Sequence, residues 1–389
     1  MTPDALDPVQ AALRAAYERS GLPFAAHLDL TYRCDLDCQH CYLDDKAWPE
    51  MTTAEILRLL EQLSTSGVLD LRWSGGEVLR RPDFLQLLAR AAELGFLSRV
   101  KTHAGLVTAE VASALQNSRV QRIDVSVYSL QPAVHDAFTR SSGSLQRTLA
   151  GIAHLRDAGL AVRVSMSVQP HTIEEMPLLF EHFRALGCAV EFATHVFRDH
   201  AGGDRLEVLD LVGEDRIRAE AWRRRLLSLD AAVPASLRES GSSAPCGAGR
   251  TLAYISPDGS VWPCVSFPMA LGNVRERSFA DIWRTSAARQ ELLAWTNAER
   301  TTCQTCAGSG FCSYCPGEAF KVTGDFRSAP SGFHAATRAR MAAFEEVSGE
   351  RLPQATWASV PAGETPRTAR KTVFPIHRPE KGRGRRVTE

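Results

Sequence analysis

Between residues 24 and 197 the chain alternates six β-branched runs with five helical patterns. The runs are "FAAHLDLTY", "VLDLRWSGGE", "LSRVKTHAG", "VQRIDVSVYS", "AVRVSMSVQ" and "AVEFATHVF". Strict alternation of this kind demands parallel strands joined by helical crossovers. Thr52 and Glu55 stand at capping-box spacing at the head of "MTTAEILRLLEQLSTSG", and Gly67 marks its end. Six such units make either an open doubly wound sheet or an incomplete barrel, and periodicity does not choose between them. Both place the chemistry at the C-terminal ends of the strands.

The first strand runs into "RCDLDCQHCYL", which puts Cys34, Cys38 and Cys41 within eight residues. No basic segment followed by an apolar run opens the chain, so no signal peptide is visible, and no stretch has the length of a membrane span. These features predict a cytoplasmic protein, in which clustered thiols read as metal ligands before disulfides. Lys and Arg together equal Asp and Glu, 45 against 45, so no overall field calls for nucleic acid or membrane as a partner. A structural zinc site wants four ligands. Three close thiolates instead suit a [4Fe–4S] cluster with one iron left open for a reactant.

Cys-x3-Cys-x2-Cys in this position resembles the radical S-adenosylmethionine (SAM) enzymes. The resemblance covers about residues 24–197 and implies a partial (β/α)6 barrel of the TIM type. It also implies a [4Fe–4S] cluster whose open iron chelates SAM, and a 5′-deoxyadenosyl radical that abstracts hydrogen from an unactivated C–H bond. Gly75, Gly76 and Glu77 resemble the family's Gly-Gly-Glu motif, with Val78 where a proline is usual. The glycines would let the backbone approach a ligand, and the carboxylate would suit the methionyl ammonium. Thr102 and Ser126, closing the third and fourth strands, become candidates for polar contacts to SAM. Arg163 is the candidate for its carboxylate, and Tyr42, after the third thiol, is a further cofactor-side residue beside His40. His103, Tyr128 and His195 fall at or just past strand ends, without an assigned role.

Cysteines return as Cys246, Cys264, Cys303, Cys306, Cys312 and Cys315. The last four alone have the spacing of a four-cysteine zinc knuckle. Behind a radical SAM core, the set resembles the SPASM extension of peptide and sulfatase maturases, which binds auxiliary Fe–S clusters. Cys-x12-Gly-x4-Cys, through Gly259, matches its opening motif. Two residues separate Cys312 from Cys315 where the family commonly has three, and no cysteine follows Cys315. The family's wiring assigns Cys303, Cys306 and Cys312 to one cluster, with His334 falling where the fourth ligand is due and Asp325 a poorer candidate. Cys246, Cys264 and Cys315 would hold the other. Cys188 reads as a buried small hydrophobe.

These assignments divide the chain into an N-terminal extension (1–23), the partial barrel (24–200), a helical bridge (201–245), an auxiliary cluster domain of short strands, turns and helices (246–348) and a basic, disordered tail (349–389). The expected activity is a peptide maturase that installs a thioether or carbon–carbon crosslink in a ribosomally made precursor. The alternative is a dehydrogenase acting on a protein residue or a small alcohol or sugar. The expected partners are the precursor peptide, an external reductant such as flavodoxin or ferredoxin, and a separate leader-peptide-binding protein.

Overall fold

The computed structural model describes residues 8–43, 45–229 and 246–361. After α1 (Pro8–Ser20), the strand–helix units follow in order: β1 (Ala25–Asp29), α2 (Thr53–Thr65), β2 (Asp70–Ser74), α3 (Phe84–Glu93), β3 (Leu97–Thr102), α4 (Ala109–Asn117) and β4 (Val120–Ser126). Next come α5 (Pro132–Thr139), α6 (Ser144–Asp157), β5 (Val162–Ser167), α7 (Met176–Ala185), β6 (Ala189–Ala193) and α8 (Gly213–Leu226). The C-terminal part holds β7 (Leu252–Ile255), β8 (Ser260–Trp262), β9 (Gly272–Asn273), α9 (Phe279–Thr285), α10 (Ala287–Ala294), α11 (Thr301–Gln304), α12 (Pro316–Thr323), α13 (Ser331–Ser348) and α14 (Gln354–Ser359).

Local chemistry accounts for α2. The Thr52 side chain accepts the Glu55 amide, Glu55 returns a bond to the Thr52 amide, and Ile56, Leu59, Leu60 and Leu63 bury one face. Along the strands, one side carries Leu28, Leu71, Trp73, Val100, Ile123, Val164 and Phe192, which join the helices in the main core. The alternate positions carry His27, Asp29, Arg72, Lys101, Asp124, Arg163 and Glu191. This polar, charged face is the concave side of a partial barrel.

β1 to β6 pair in parallel, and the sheet does not stop there. Its order is β6-β5-β4-β3-β2-β1-β7-β8-β9. β7 pairs in parallel with β1, matching His27 to Tyr254, and β8 turns back antiparallel on β7. The cysteine-rich region therefore opens as an extension of the barrel sheet, and a sheet of nine strands replaces the six read from the barrel region. α8 bridges to α13 through Arg340 to Glu220 at 2.9 Å, Arg225 to Glu346 at 2.7 Å and Arg224 over the Phe344 ring.

Two further features differ from the sequence reading. α5 is an additional helix, started by Pro132 at its first turn and ended by Arg140 in the left-handed conformation. Residues 349–361 are not tail: Leu352 and Val360 are buried with Cys306, Phe311, Met341 and Phe344. Residues 362–389, like residues 230–245 at the end of the bridge, lie outside the described residues. No described helix is long and apolar enough to cross a membrane.

Candidate active site and auxiliary metal sites

The loop after β1 is pinned before any metal enters. Asp37 and Gln39 donate backbone bonds to the carbonyls of Thr139 and Phe138, at the C-terminal end of α5, at 3.1 and 3.0 Å. Arg33 grips Glu50 with two bonds of 3.0 and 2.9 Å, and Arg205 donates to the Cys41 carbonyl at 2.5 Å. Within this frame burial pushes the Cys38 thiol up to about 12, helped by the neighbouring Cys34 and Cys41 sulfurs, and burial also raises Cys41. Such thiols ionise when a metal takes up their charge. Beside them opens a cleft of about 510 Å³, lined by Cys38, Cys41, Lys46, Arg140, Asp199 and Arg205 among others.

The turn after β2 explains its two glycines. A Cβ on Gly75 would lie 2.1 Å from the Thr31 carbonyl oxygen, and one on Gly76 would lie 2.4 Å from that of Arg33. The close approach is thus to the chain's own backbone, just ahead of Cys34, and not only to a ligand. Glu77 is fully buried. Its oxygens accept from Thr102 Oγ1 at 2.8 Å and from the His103 amide at 2.9 Å, and His103 Nε2 lies 3.2 Å away. Burial alone would lower His103, but bonds from Asp35 and Cys34 and the Glu77 charge raise it to about 10.

Glu77 and Thr102 are brought together, each already satisfied within the protein, and act as a brace behind the glycine turn. Ser126 closes β4 half-buried, near Tyr128, whose hydroxyl lies 3.9 Å from Cys38 Sγ. Arg163 is not with them. It stands near the start of β5, where its guanidinium meets Asp124 at 2.8 Å and Glu191 at 3.0 Å. Among the described contacts, Arg163 is a concave-face ion-pair residue. His195 bonds Asp210 at 3.1 Å, past the end of β6. Cys188 is buried at the junction of α7 and β6.

Tyr42 leads to a network that sequence reasoning missed. Its hydroxyl lies 3.4 Å from Asp29, and its ring centroid lies 4.9 Å from that of His200. Asp29 also accepts from Tyr254 at 2.9 Å and meets His27 at 3.1 Å, while Tyr254 meets Tyr32 at 2.8 Å. Burial would raise Asp29, yet these partners hold it below the ordinary carboxylate value. Trp262, two residues before Cys264, packs on both Tyr254 and His200 at 5.0 and 5.1 Å. The network joins the first cysteine loop to the hairpin that carries Cys264. Its members are scattered from residue 27 to 262, so only the polar pair His27 and Asp29 within an otherwise apolar strand signals it in the sequence.

The later cysteines fall into two groups. Cys315 is pushed up to about 12 by burial, with the Cys264 and Cys246 sulfurs among its neighbours. Each of these three sulfurs receives a nearby backbone N–H, from Glu318, Ser266 and Ala248 respectively. Cys303, Cys306 and Cys312 line a separate cavity of about 120 Å³ together with His334, Arg300 and Tyr314. Arg300 donates to Cys303 Sγ at 3.3 Å. Asp325 bonds the Arg327 amide and is not part of this lining.

A tetrahedral zinc holds its ligand atoms about 3.8 Å apart, given Zn–S near 2.3 Å. Among the described residues only Cys34, Asp35 and His103 offer three ligand atoms within 4.8 Å of one another. That trio is already an ion pair beside a thiol, since His103 meets Asp35 at 3.1 Å. The cysteine groups are spread more widely than one ion needs, as suits a cluster that puts an iron in front of each sulfur. α12 holds one group closed: a Cβ on Gly317 would lie 2.4 Å from the Ser266 carbonyl. Gly317→Ala is expected to part Cys315 from Cys264 and to remove about four irons per chain. Iron analysis of the anaerobically reconstituted variant checks this.

A half-barrel with three thiols after its first strand and two further thiol groups in the region that extends its sheet and the helices beyond defines a radical SAM enzyme with an auxiliary iron–sulfur domain. The family model of the Radical SAM superfamily matches residues 28–183, and the SPASM iron–sulfur cluster-binding domain matches residues 246–307. The chain is 30% identical to a PqqA peptide cyclase of Xanthomonas axonopodis pv. citri (strain 306), covering 73% of this chain and 80% of that protein. It is 28% identical to the AdoMet-dependent heme synthase of Methanosarcina barkeri (strain Fusaro / DSM 804), over 77% of this chain and 92% of that protein. Its fold is similar to that of Streptococcus suis SuiB bound to S-adenosylmethionine, with a TM-score of 0.60 at 18% identity, covering 82% of this chain and 79% of that one. The chain belongs to the radical SAM superfamily and carries a SPASM domain.

Proposed function

We propose that the protein is a peptide maturase that forms an oxidative thioether or carbon–carbon crosslink in a ribosomally made precursor. The observation that carries this reading is the presence of two further thiol groups, Cys246, Cys264 and Cys315 and then Cys303, Cys306 and Cys312, besides the SAM-type triad. A [4Fe–4S] cluster with SAM at Cys34, Cys38 and Cys41 supplies hydrogen-atom abstraction, and clusters at the later sites supply a store for the electron that a net oxidation releases. The chain's own part is placement. Thr31–Arg33, wedged against Gly75 and Gly76, sets the height of Cys34, and the carbonyl end of α5 sets Cys38. Asp29, held ionised by His27 and Tyr254, orients the phenols of Tyr42 and Tyr254 at the seam between the two cysteine regions. In the adjoining cleft Lys46 and Arg140 both pair with Asp37, at 3.0 and 2.9 Å, and Arg205 pairs with Asp199 at 3.1 Å, so its lining is polar with the charges largely balanced.

In this reading the enzyme works in the cytoplasm with a flavodoxin- or ferredoxin-like reductant, and a separate protein presents the leader of the peptide. Relatives named peptide cyclase and peptide-bound SuiB support a peptide substrate. A haem-forming activity is the second reading, favoured by the match across 92% of the haem synthase. The test is an anaerobic incubation with SAM, dithionite and a synthetic peptide corresponding to a short reading frame beside this gene. The expected product has lost two hydrogens, resists carbonyl reagents and shows no fragmentation between the linked residues. A product that reacts with hydrazide indicates the dehydrogenase. Haem, separated from an added iron porphyrin precursor by chromatography and identified by its mass, with no peptide product, would establish the second reading.

A further inference from the structure

The cavity around Cys303 holds three thiols and one further atom able to bind iron. His334 stands in the first turn of α13 and lines the same cavity as Cys303, Cys306 and Cys312. Among the described residues no hydrogen bond engages this imidazole. Burial lowers its pKa, which favours the neutral, ligating form. The thiols have their own support. Arg300 donates to Cys303, while the Gly308 amide and the Ser359 hydroxyl serve Cys306. α13 itself is fixed by Arg340 on Glu220 and by Phe333 packed against Tyr314 at 5.3 Å. The helix backbone that carries His334 is thereby fixed beside the cavity.

We propose that His334 is the fourth protein ligand of a [4Fe–4S] cluster held by Cys303, Cys306 and Cys312. The inference rests on the auxiliary-cluster reading of this domain. It answers how the site is completed in a chain whose last cysteine is Cys315. Cys3His is also a zinc set, but no three of these ligand atoms lie within 4.8 Å of one another, which favours the larger cluster. A neutral imidazole in place of a thiolate leaves the cluster one negative charge poorer. Its potential then lies above that of an all-cysteine site, which suits an electron acceptor.

The test uses the full chain reconstituted anaerobically, with the first site silenced by Cys34→Ala, Cys38→Ala and Cys41→Ala and with histidine labelled with ¹⁵N. Pulsed EPR of the dithionite-reduced protein is expected to show a ¹⁵N-histidine coupling. H334C is expected to keep about eight irons per chain and lose that coupling, whereas H334A falls to about four. No coupling in the parent chain, coupling that survives in H334C, or iron unchanged in H334A would each overturn the assignment. One zinc per chain in place of four irons would overturn it as well. SAM cleavage by the chain with its first three cysteines intact reports separately on the functional reading.

Discussion

Cys38→Ala is expected to lose about four irons per chain and to bring 5′-deoxyadenosine formation down to background. On the usual scale of enzymatic acceleration that is a fall of about 10⁶-fold or more. The reason lies in how the loop is built. Cys38 is buried between the sulfurs of Cys34 and Cys41, follows the backbone bonds from Asp37 to the end of α5, and receives the Tyr128 hydroxyl. Cys188→Ala is the informative companion. That thiol is buried against the α7–β6 junction, and its loss is expected to leave iron content and SAM cleavage intact at a modest cost in stability. Iron analysis and chromatography of the nucleoside products check both variants.

Gly75→Ala is expected to destabilise the chain by roughly 2–6 kcal/mol, the sum of backbone strain and overpacking at about 1–3 kcal/mol each. Gly75 has φ of +137°, and its new Cβ would overlap the Thr31 carbonyl oxygen at 2.1 Å. Backbone cannot step aside as a flexible side chain can. The turn or the strand exit must therefore move, taking Cys34 with it, so iron at the first site falls together with the melting temperature. Gly95→Ala separates the two contributions. Gly95 has φ of +85° but nothing within 4 Å of its Cβ position, so strain alone, about 1 kcal/mol, is expected. Thermal denaturation of the two variants side by side tests the difference. Equal losses would show that the contact with Thr31 is unimportant.

The parts of this fold readable from sequence are those fixed by local chemistry. The Thr52–Glu55 capping box, the alternation of apolar and polar residues on each strand, and the thiol loop after β1 all use signals within a dozen residues. The rest depends on distant partners. β7 joins β1 across more than two hundred residues, and nothing in "LAYI" specifies a parallel neighbour over an antiparallel one. α5 is short and marked mainly by Pro132, yet its carbonyl end positions Asp37 and Gln39.

Arg163 shows the complementary case. A charged residue on a barrel strand suggests a ligand contact, but here the charges of Asp124 and Glu191 on neighbouring strands satisfy it. Glu77 likewise has partners within the protein, accepting from Thr102 and from the His103 amide. Strand register decides such partners, and register is not visible in one strand at a time.

The central claim is that the chain holds three separate iron–sulfur sites, one after β1, one beside the β7–β8 hairpin and one against α13. Counting iron, sulfide and zinc in the anaerobically reconstituted full chain tests it most directly. The account predicts about twelve irons and twelve sulfides per chain with no zinc. About four irons accompanied by zinc would contradict it, leaving a SAM-type site beside a structural knuckle.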